Sequence, residues 1–319
     1  MRAYQVTRAG AMPALTETEP GRPGPGQIAV RIAACGLNFA DLLMIDGSYQ
    51  DTPDPPFTLG MELSGVVEDT GPGVTDLAPG HRVAVFSGQG GLAEAGVFDA
   101  ARAVPIPDRM PHEIAAGFLV AYGTSHLALT RRAALARGER LLVLGAAGGV
   151  GLTAVELGAA MGAEVIAVAR GARKLDVARS AGATHLIDAE TEDLKAEIRA
   201  LGGADVVYDA VGGAAFDAAL RATRPEGRIL TIGFASGTVP KIPANILLVK
   251  NITVTGFYWG GYLGFAPDVL AAGLSELMEL YVDGRIAPHV GATFPLDRAG
   301  AALDLLRQRQ STGKVVVTI

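Results

Sequence analysis

From Arg140 to Gly151 the chain reads Arg-Leu-Leu-Val-Leu-Gly-Ala-Ala-Gly-Gly-Val-Gly, an apolar run that breaks into a glycine-rich turn. A strand that ends in such a turn and opens a helix, here one ending near Gly162, can hold a pyrophosphate. Gly148 lets backbone approach the phosphates, and Gly151 lets the helix pack closely on the strand. The helix amino terminus adds unpaired N–H groups and the positive end of its dipole. Ala147, Gly148, Gly149, Val150 and Gly151 are therefore the candidate phosphate cradle of a dinucleotide. Ala146 stands where the first glycine of G-x-G-x-x-G belongs, so a tight turn in another kind of doubly wound protein is the alternative.

About 20 residues beyond the glycines, an NAD-binding chain carries Asp or Glu for the ribose 2′-hydroxyl. Here that place reads Ala169-Arg170-Gly171-Ala172-Arg173-Lys174. An acidic group there would repel a 2′-phosphate, whereas Arg170, Arg173 and Lys174 can pair with one. The expected cofactor is NADPH. The plainer alternative is three solvated charges on the first turn of a helix.

The elements that must position these groups fit a chain of 319 residues, long enough for two domains with a core each. Lys and Arg number 27 against 33 Asp and Glu, a formal charge of −6, so no global basic field draws nucleic acid or an anionic membrane. Cys35 is the only cysteine, which excludes an internal disulfide and any site built on two thiolates. Met1 to Val6 reads as a strand and lacks the apolar run of a secretory signal. The most apolar uncharged stretch, Leu141 to Val155, is interrupted by four glycines and falls short of the ~20 residues a bilayer needs. A soluble cytoplasmic protein is expected.

Residues 1 to about 120 show short strand-like runs at Gln27 to Ala34, Ser64 to Glu68 and His81 to Phe86, with a helical insertion from Phe39 to Asp46. From Arg140 the texture changes to apolar strands alternating with amphipathic stretches, which builds parallel βαβ units. The strands read as Leu141 to Leu144, Glu164 to Ala169, His185 to Ile187, Asp205 to Asp209, Arg228 to Ile232 and Asn251 to Thr255. A helix from Val269 to Val282, a β segment near Thr293, a helix from Asp297 to Gln308 and a strand from Lys314 to Ile319 follow. The expected division is 1–121 with 266–319 as a β-rich domain and 122–265 as a doubly wound dinucleotide-binding domain.

The glycine turn, Val207-Tyr208-Asp209-Ala210-Val211-Gly212-Gly213 and Gly313-Lys314-Val315 together resemble a medium-chain dehydrogenase/reductase over essentially the whole chain. Gly36-Leu37-Asn38-Phe39-Ala40-Asp41 and Pro56-Phe57-Thr58-Leu59-Gly60-Met61-Glu62 resemble its zinc-free quinone oxidoreductase group, which includes zeta-crystallin. The resemblance implies an α/β protein with a GroES-like catalytic domain and a Rossmann domain. Zinc enzymes of that superfamily have Cys at the Asn38 position and His at the Met61 position, and neither replacement is a good zinc ligand. His81, His112, His126, His185 and His289 show no i, i+4 pair. No metal is expected, which restricts hydride transfer to acceptors that spread their own charge, such as quinones and α,β-unsaturated carbonyls.

The resemblance places Asn38 beside nicotinamide and substrate, with Asp41 as its support. Spacing alone favours an N-cap and a first-turn acid of the following helix, and the resemblance reverses that preference. Tyr49 offers a phenol for a developing enolate or quinol oxygen. Leu43 stands where relatives often have a second tyrosine, so water is the other proton source, and Ala189 replaces an adenine-side tyrosine. Thr124, Gly233, Phe234, Ala235, Ser236 and Lys314 fall at family cofactor contacts, and Thr124 is alternatively a helix threonine bonded to its own backbone. Phe257, Tyr258, Trp259 and Tyr262 form an aromatic group suited to a substrate pocket or a dimer interface.

The expected function is NADPH:quinone oxidoreduction with hydride transfer in the interdomain cleft, by a homodimer paired through edge strands near Asn251 to Thr255. The partner expected is a small conjugated acceptor, without nucleic acid or membrane. Reduction of enoyl thioesters or alkenals is the first alternative, and a non-catalytic NADPH-binding protein, with RNA as a second ligand, is the other.

Overall fold

Leu141, Leu142, Val143 and Leu144 follow one another with no polar side chain, a pattern that suits a strand covered on both faces. In the computed structural model, which describes residues 1–319, all four are fully buried. They belong to the strand Arg140–Leu144 of a six-stranded, all-parallel sheet. The spatial order across that sheet is His185–Asp188, Glu164–Ala169, Arg140–Leu144, Ala204–Asp209, Thr223–Thr231, Thr253–Gly256. The order reverses between Arg140–Leu144 and Ala204–Asp209, so the crevice at their carboxyl ends is the natural ligand position of a doubly wound sheet. One face packs Leu142, Leu144, Ile166 and Val207 against Ile198, Phe216 and Leu220 of two crossover helices.

The opposite, amino-terminal ends of these strands carry charge. Arg140 and His185 both reach Glu164, at 3.0 and 2.6 Å, and Arg224 reaches Asp205 at 2.8 Å. Arg228 holds both carboxylate oxygens of Glu139 at 2.7 Å.

Two compact units are present, Met1–Val120 with Pro288–Ile319 and Ala121–Ala287. The helix Pro267–Val282, expected with the β-rich domain, belongs to the parallel-sheet unit. Its Glu276 meets His126 at 3.1 Å, and Gly273 abuts the His126 ring. The chain returns to the first unit at Pro288. At the sheet edge, Asn251 adopts a left-handed conformation (φ 55°) that ends the helix Ala244–Lys250, so the edge strand starts at Thr253.

The first unit is mainly antiparallel. The long strand Gln27–Leu37 lies at its centre, paired with Glu62–Thr70 on one side and Lys314–Thr318 on the other. Ile28, Val30 and Ile32 point into one apolar core, with Leu63, Val67, Val83 and Val85. A register shift between Ile32 and Ala34 then exchanges the faces. An extra residue in one strand turns every later side chain over. Cys35 and Leu37 consequently enter a second core with Leu42, Leu59, Met61 and Val315, and the strand delivers Asn38 at its end. No helix of the protein is long and apolar enough to cross a membrane.

Candidate active site

The strand Arg140–Leu144 ends at Gly145, whose positive φ of 74° lets the chain turn at once. The Gly145 and Ala146 N–H groups both donate to Val168 O of the neighbouring strand, at 3.1 and 3.0 Å. Ala146 is fully buried, so its methyl sits inside the turn where the glycine pattern has none. Gly148 caps the helix Gly149–Ala160. The first helical N–H to find a carbonyl is that of Leu152, donated to Gly148 O at 2.9 Å. Gly149, Val150 and Gly151 therefore present the N–H groups that a helix start leaves without a carbonyl. A Cβ on Gly151 would fall 2.1 Å from Gly145 O and 2.8 Å from Gly145 C, so this helix packs on the turn by bare backbone. The residues present from Ala147 to Gly151 fit the pyrophosphate of a nicotinamide dinucleotide, which they would hold by their N–H groups.

The strand Glu164–Ala169 leads into Arg170, and Gly171, at φ 75°, caps the helix Ala172–Ser180. Arg170 is 63% exposed and pairs with Glu190 at 3.3 Å. Lys174 is half-buried, and its ammonium is held below the usual lysine range by burial first and then by the charges of Arg173 and Arg170. Three cations, Arg170, Arg173 and Lys174, lie within mutual electrostatic range at the end of the second strand.

In the first unit the strand end places Asn38 at the cap position of the helix Phe39–Ile45. The carboxylate of Asp41 reaches back to accept from the Asn38 backbone N–H at 2.7 Å. The Asn38 carboxamide is engaged with its neighbours instead. Its Nδ2 donates to Glu62 Oε1 at 2.9 Å and to Gly36 O at 3.3 Å, and its Oδ1 accepts from Lys314 Nζ at 2.8 Å. Lys314 Nζ also donates to Leu37 O and Glu62 Oε1, both at 2.8 Å. Glu62 Oε2 accepts from Val120 N at 3.1 Å. Glu62 and Lys314 are buried, Asn38 half-buried.

Asp41 is fully buried, and its Oδ1 has no hydrogen-bond partner. Burial pushes its carboxyl up to about 6 against the opposing pull of the Asn38 N–H and of Lys314. Cys35 lies beside this group, its thiol raised well above the usual range by burial and then by Asp41 and Glu62. The Lys314 ammonium is ringed by three oxygens, Leu37 O, Asn38 Oδ1 and Glu62 Oε1, with Met61 buried, and these residues do not fit a zinc ion.

The resemblance singled out Asn38 and Asp41. The structure adds Glu62 and shows that Lys314 spends its three N–H donors within its own unit. Glu62 was visible only as the last residue of a motif, and nothing local marks it as the partner of a lysine 252 positions later.

Tyr49 packs half-buried against the core containing Leu42 and Leu59, and its carbonyl accepts from Thr52. Thr124 is buried in the helix Leu119–Leu127, and the helix back-bond of this stretch is made by Thr130, to His126 O at 2.7 Å.

Phe234, 37% exposed, stands in the loop after Thr223–Thr231. Ala235 N and Ser236 N of that loop donate to Ala210 O and Val211 O. Asp209, which the sequence showed only as part of a motif, organises both loops. Its buried Oδ1 accepts from Val211 N at 2.8 Å and Gly212 N at 2.9 Å, and burial raises its carboxyl above the usual range. Gly233 N closes onto Asp209 O. Phe257, Tyr262 and Phe265 stack in series with centroids 5.8 and 4.6 Å apart, and Trp259 is buried against Gly123.

Two family models match the chain, an alcohol dehydrogenase GroES-like domain over residues 24–108 and a zinc-binding dehydrogenase domain over residues 149–278. A quinone oxidoreductase-like protein 2 homolog of Nematostella vectensis is 40% identical over 300 residues, covering 92% of this chain and 82% of that protein. Two solved quinone oxidoreductases with NADPH superpose on the full length of the chain. That of Thermus thermophilus is 33% identical with a TM-score of 0.89, and that of Escherichia coli is 28% identical with a TM-score of 0.92, each covered over 100% of its own length. The β-rich unit is thus GroES-like and the parallel-sheet unit is of the Rossmann type. With this identity over nearly its whole length, the chain belongs to the quinone oxidoreductase group of the medium-chain dehydrogenase/reductase superfamily and is an oxidoreductase.

Proposed function

We propose that the protein is an NADPH-dependent reductase of quinones. The observation that carries the cofactor choice is the cluster of Arg170, Arg173 and Lys174, in which a half-buried ammonium faces two guanidiniums and lacks an acidic group at the NAD position. Guanidinium and ammonium groups at this place can pair with a 2′-phosphate, which an acidic residue there would repel. Ala147 to Gly151 hold the pyrophosphate, and Thr124 and Gly233 to Ser236 lie along the same unit for the nicotinamide half. The bound dinucleotide supplies a hydride.

Lys314 stands among the oxygens where a Lewis acid would be needed, so the acceptor carries its own charge, as a quinone does by conjugation. Asn38, braced by Asp41, orients the reactants, and Tyr49 or water supplies the proton that completes the quinol. Each turnover consumes one quinone, one NADPH and one proton, and releases one quinol and one NADP⁺.

We further propose a cytoplasmic homodimer formed through the edge strand Thr253–Gly256, flanked by the exposed Leu248 (79%) and Val249 (77%). A monomeric mass in sedimentation would remove the dimer from this reading.

The test is NADPH oxidation under nitrogen with benzoquinone and phenanthrenequinone, against alkenals and short enoyl thioesters. Faster turnover of the quinones, with a preference for NADPH over NADH that Arg170→Asp reverses, supports the reading. Turnover of enoyl thioesters alone transfers the protein to the enoyl reductases. Equal use of NADH and NADPH, unchanged in Arg170→Asp, refutes the cofactor assignment.

A further inference from the structure

The hydrogen bonds around Asn38 can be counted to completion. A primary amide has two N–H donors and an oxygen with two lone pairs, and an ammonium has three donors. Both Nδ2 hydrogens are used, on Glu62 Oε1 at 2.9 Å and Gly36 O at 3.3 Å. One lone pair of Oδ1 is used, by Lys314 Nζ at 2.8 Å. The three Lys314 donors end on Leu37 O, Asn38 Oδ1 and Glu62 Oε1. Glu62 takes two of these bonds on Oε1 and the Val120 N–H on Oε2. Two lone pairs are left in the polar cluster of Asn38, Lys314 and Glu62, the second of Asn38 Oδ1 and the second of Glu62 Oε2, and Asn38 is the member that is half-buried while Glu62 and Lys314 are buried.

The amide cannot turn over to offer its N–H groups instead. A half-turn about the terminal bond would set Nδ2 against the Lys314 ammonium and Oδ1 against the Glu62 carboxylate, replacing two charge-assisted bonds by two like-sign contacts.

We propose that Asn38 meets its ligand only as a hydrogen-bond acceptor, with Lys314 and Glu62 as the positioning residues that fix its carboxamide in this sense. The ligand must then bring an N–H or O–H to Asn38. The two sources in the proposed reaction are the carboxamide N–H₂ of the nicotinamide and the hydroxyl of the quinol product. This inference rests on the NADPH:quinone reading, and it removes Asn38 as a donor to the developing quinol oxygen, leaving that part to Tyr49 or water.

The experiment compares wild type, Asn38→Ala, Asn38→Asp and the double variant Asn38→Asp/Glu62→Gln. Asn38→Asp alone faces two carboxylates toward each other. In the double variant the glutamine introduced in place of Glu62 supplies the missing N–H from the Oε1 position, so Lys314 gives up its bond there and keeps Leu37 O and one anionic partner, the introduced aspartate. The aspartate introduced in place of Asn38 retains an oxygen toward the ligand. Three quantities are read: the dissociation constants for NADPH and for its reduced 3-acetylpyridine analogue, which has a methyl group in place of the amide nitrogen; inhibition by hydroquinone and by its dimethyl ether; and the melting temperature.

A nicotinamide donor gives wild type a preference of roughly fivefold for NADPH over the analogue, about the worth of one neutral hydrogen bond. That preference is lost in Asn38→Ala and kept in the double variant. A quinol donor gives the same pattern for hydroquinone over its dimethyl ether. A folded double variant as impaired as Asn38→Ala refutes the acceptor role, and so does a wild type that discriminates neither pair. Should wild type bind NADPH yet reduce no quinone, the functional reading fails while the analogue comparison still decides the acceptor role.

Discussion

Replacing Lys314 by Met removes the ammonium and keeps most of the side-chain volume. The Lys314 and Glu62 side chains are 7% and 1% exposed, so water does not compensate the carboxylate that remains. Glu62 keeps the Val120 N–H and the Asn38 amide but loses its only opposite charge, while Leu37 O and one side of Asn38 Oδ1 lose a donor. Deleting one partner of a buried ion pair costs about 3–5 kcal/mol, out of the roughly 5–15 kcal/mol that holds a typical domain together. At about 1.4 kcal/mol per factor of ten, amides of the first unit that exchange only on its opening, such as those of Leu63 and Val316 in the paired strands, should exchange roughly 150- to 5,000-fold faster. Hydrogen exchange read by mass spectrometry measures this unit separately from the parallel sheet. Lys314→Met/Glu62→Gln removes both charges and should recover most of the loss, because the introduced glutamine can accept from Val120 N and donate to a turned Asn38 amide. Exchange within tenfold of wild type in Lys314→Met, or a double variant as fast as the single one, would show that the pair is not the desolvated one described.

Gly151→Ala drives a methyl into Gly145 backbone at 2.1 Å, which no side-chain rotation can relieve. It should cost about 1–3 kcal/mol by overpacking and weaken dinucleotide binding at least tenfold, measured by thermal unfolding and cofactor titration. The Asp41 carboxyl rises from 3.8 in the open chain to about 6 when buried, so the folded unit binds this proton more tightly than the unfolded chain does. Its contribution is therefore complete below about pH 4 and is lost as pH rises through about 6, by about 3 kcal/mol. Asp41→Asn should flatten the urea midpoint of the first unit between about pH 4 and 7, and an unchanged slope would contradict the burial of this group. Gly123→Ala places a Cβ 2.6 Å from the Trp259 indole. Since Trp259 is the only tryptophan, its emission should shift to the red as the ring is displaced toward water.

Features imposed by backbone were legible in the sequence. Gly145 and Gly151 are glycine because a positive φ and a backbone-to-backbone approach exclude a side chain, and both constraints act within a dozen residues. The parallel strands could be read because burial on both faces leaves no room for alternation. Asn38 was ambiguous for a physical reason, since an N-cap and a ligand-facing amide call for the same residue type, and it occupies the cap position while its side chain bonds elsewhere. The Glu62–Lys314 pair was hidden by distance along the chain, and a lone Lys beside a glycine reads as solvated. The helix Pro267–Val282 fell to the wrong side of the boundary because an amphipathic pattern shows that a face is buried and not which unit buries it.

The pairing of Lys314 with Glu62 also orders events during synthesis. Residues 121–287 are contiguous, so the parallel-sheet unit can fold as soon as it has left the ribosome, whereas the first unit lacks the strand beside Ala34–Leu37 until residues 314–318 emerge. At about 5–20 residues per second, the 252 positions between Glu62 and Lys314 amount to roughly ten to fifty seconds of translation. For that interval the nascent β-sheet carries an open edge and a carboxylate destined for burial without its counter-charge. The sheet of the first unit is therefore completed only after the parallel-sheet unit has been translated, and the substitutions that harm yield most should lie in the first unit even though its strands begin first.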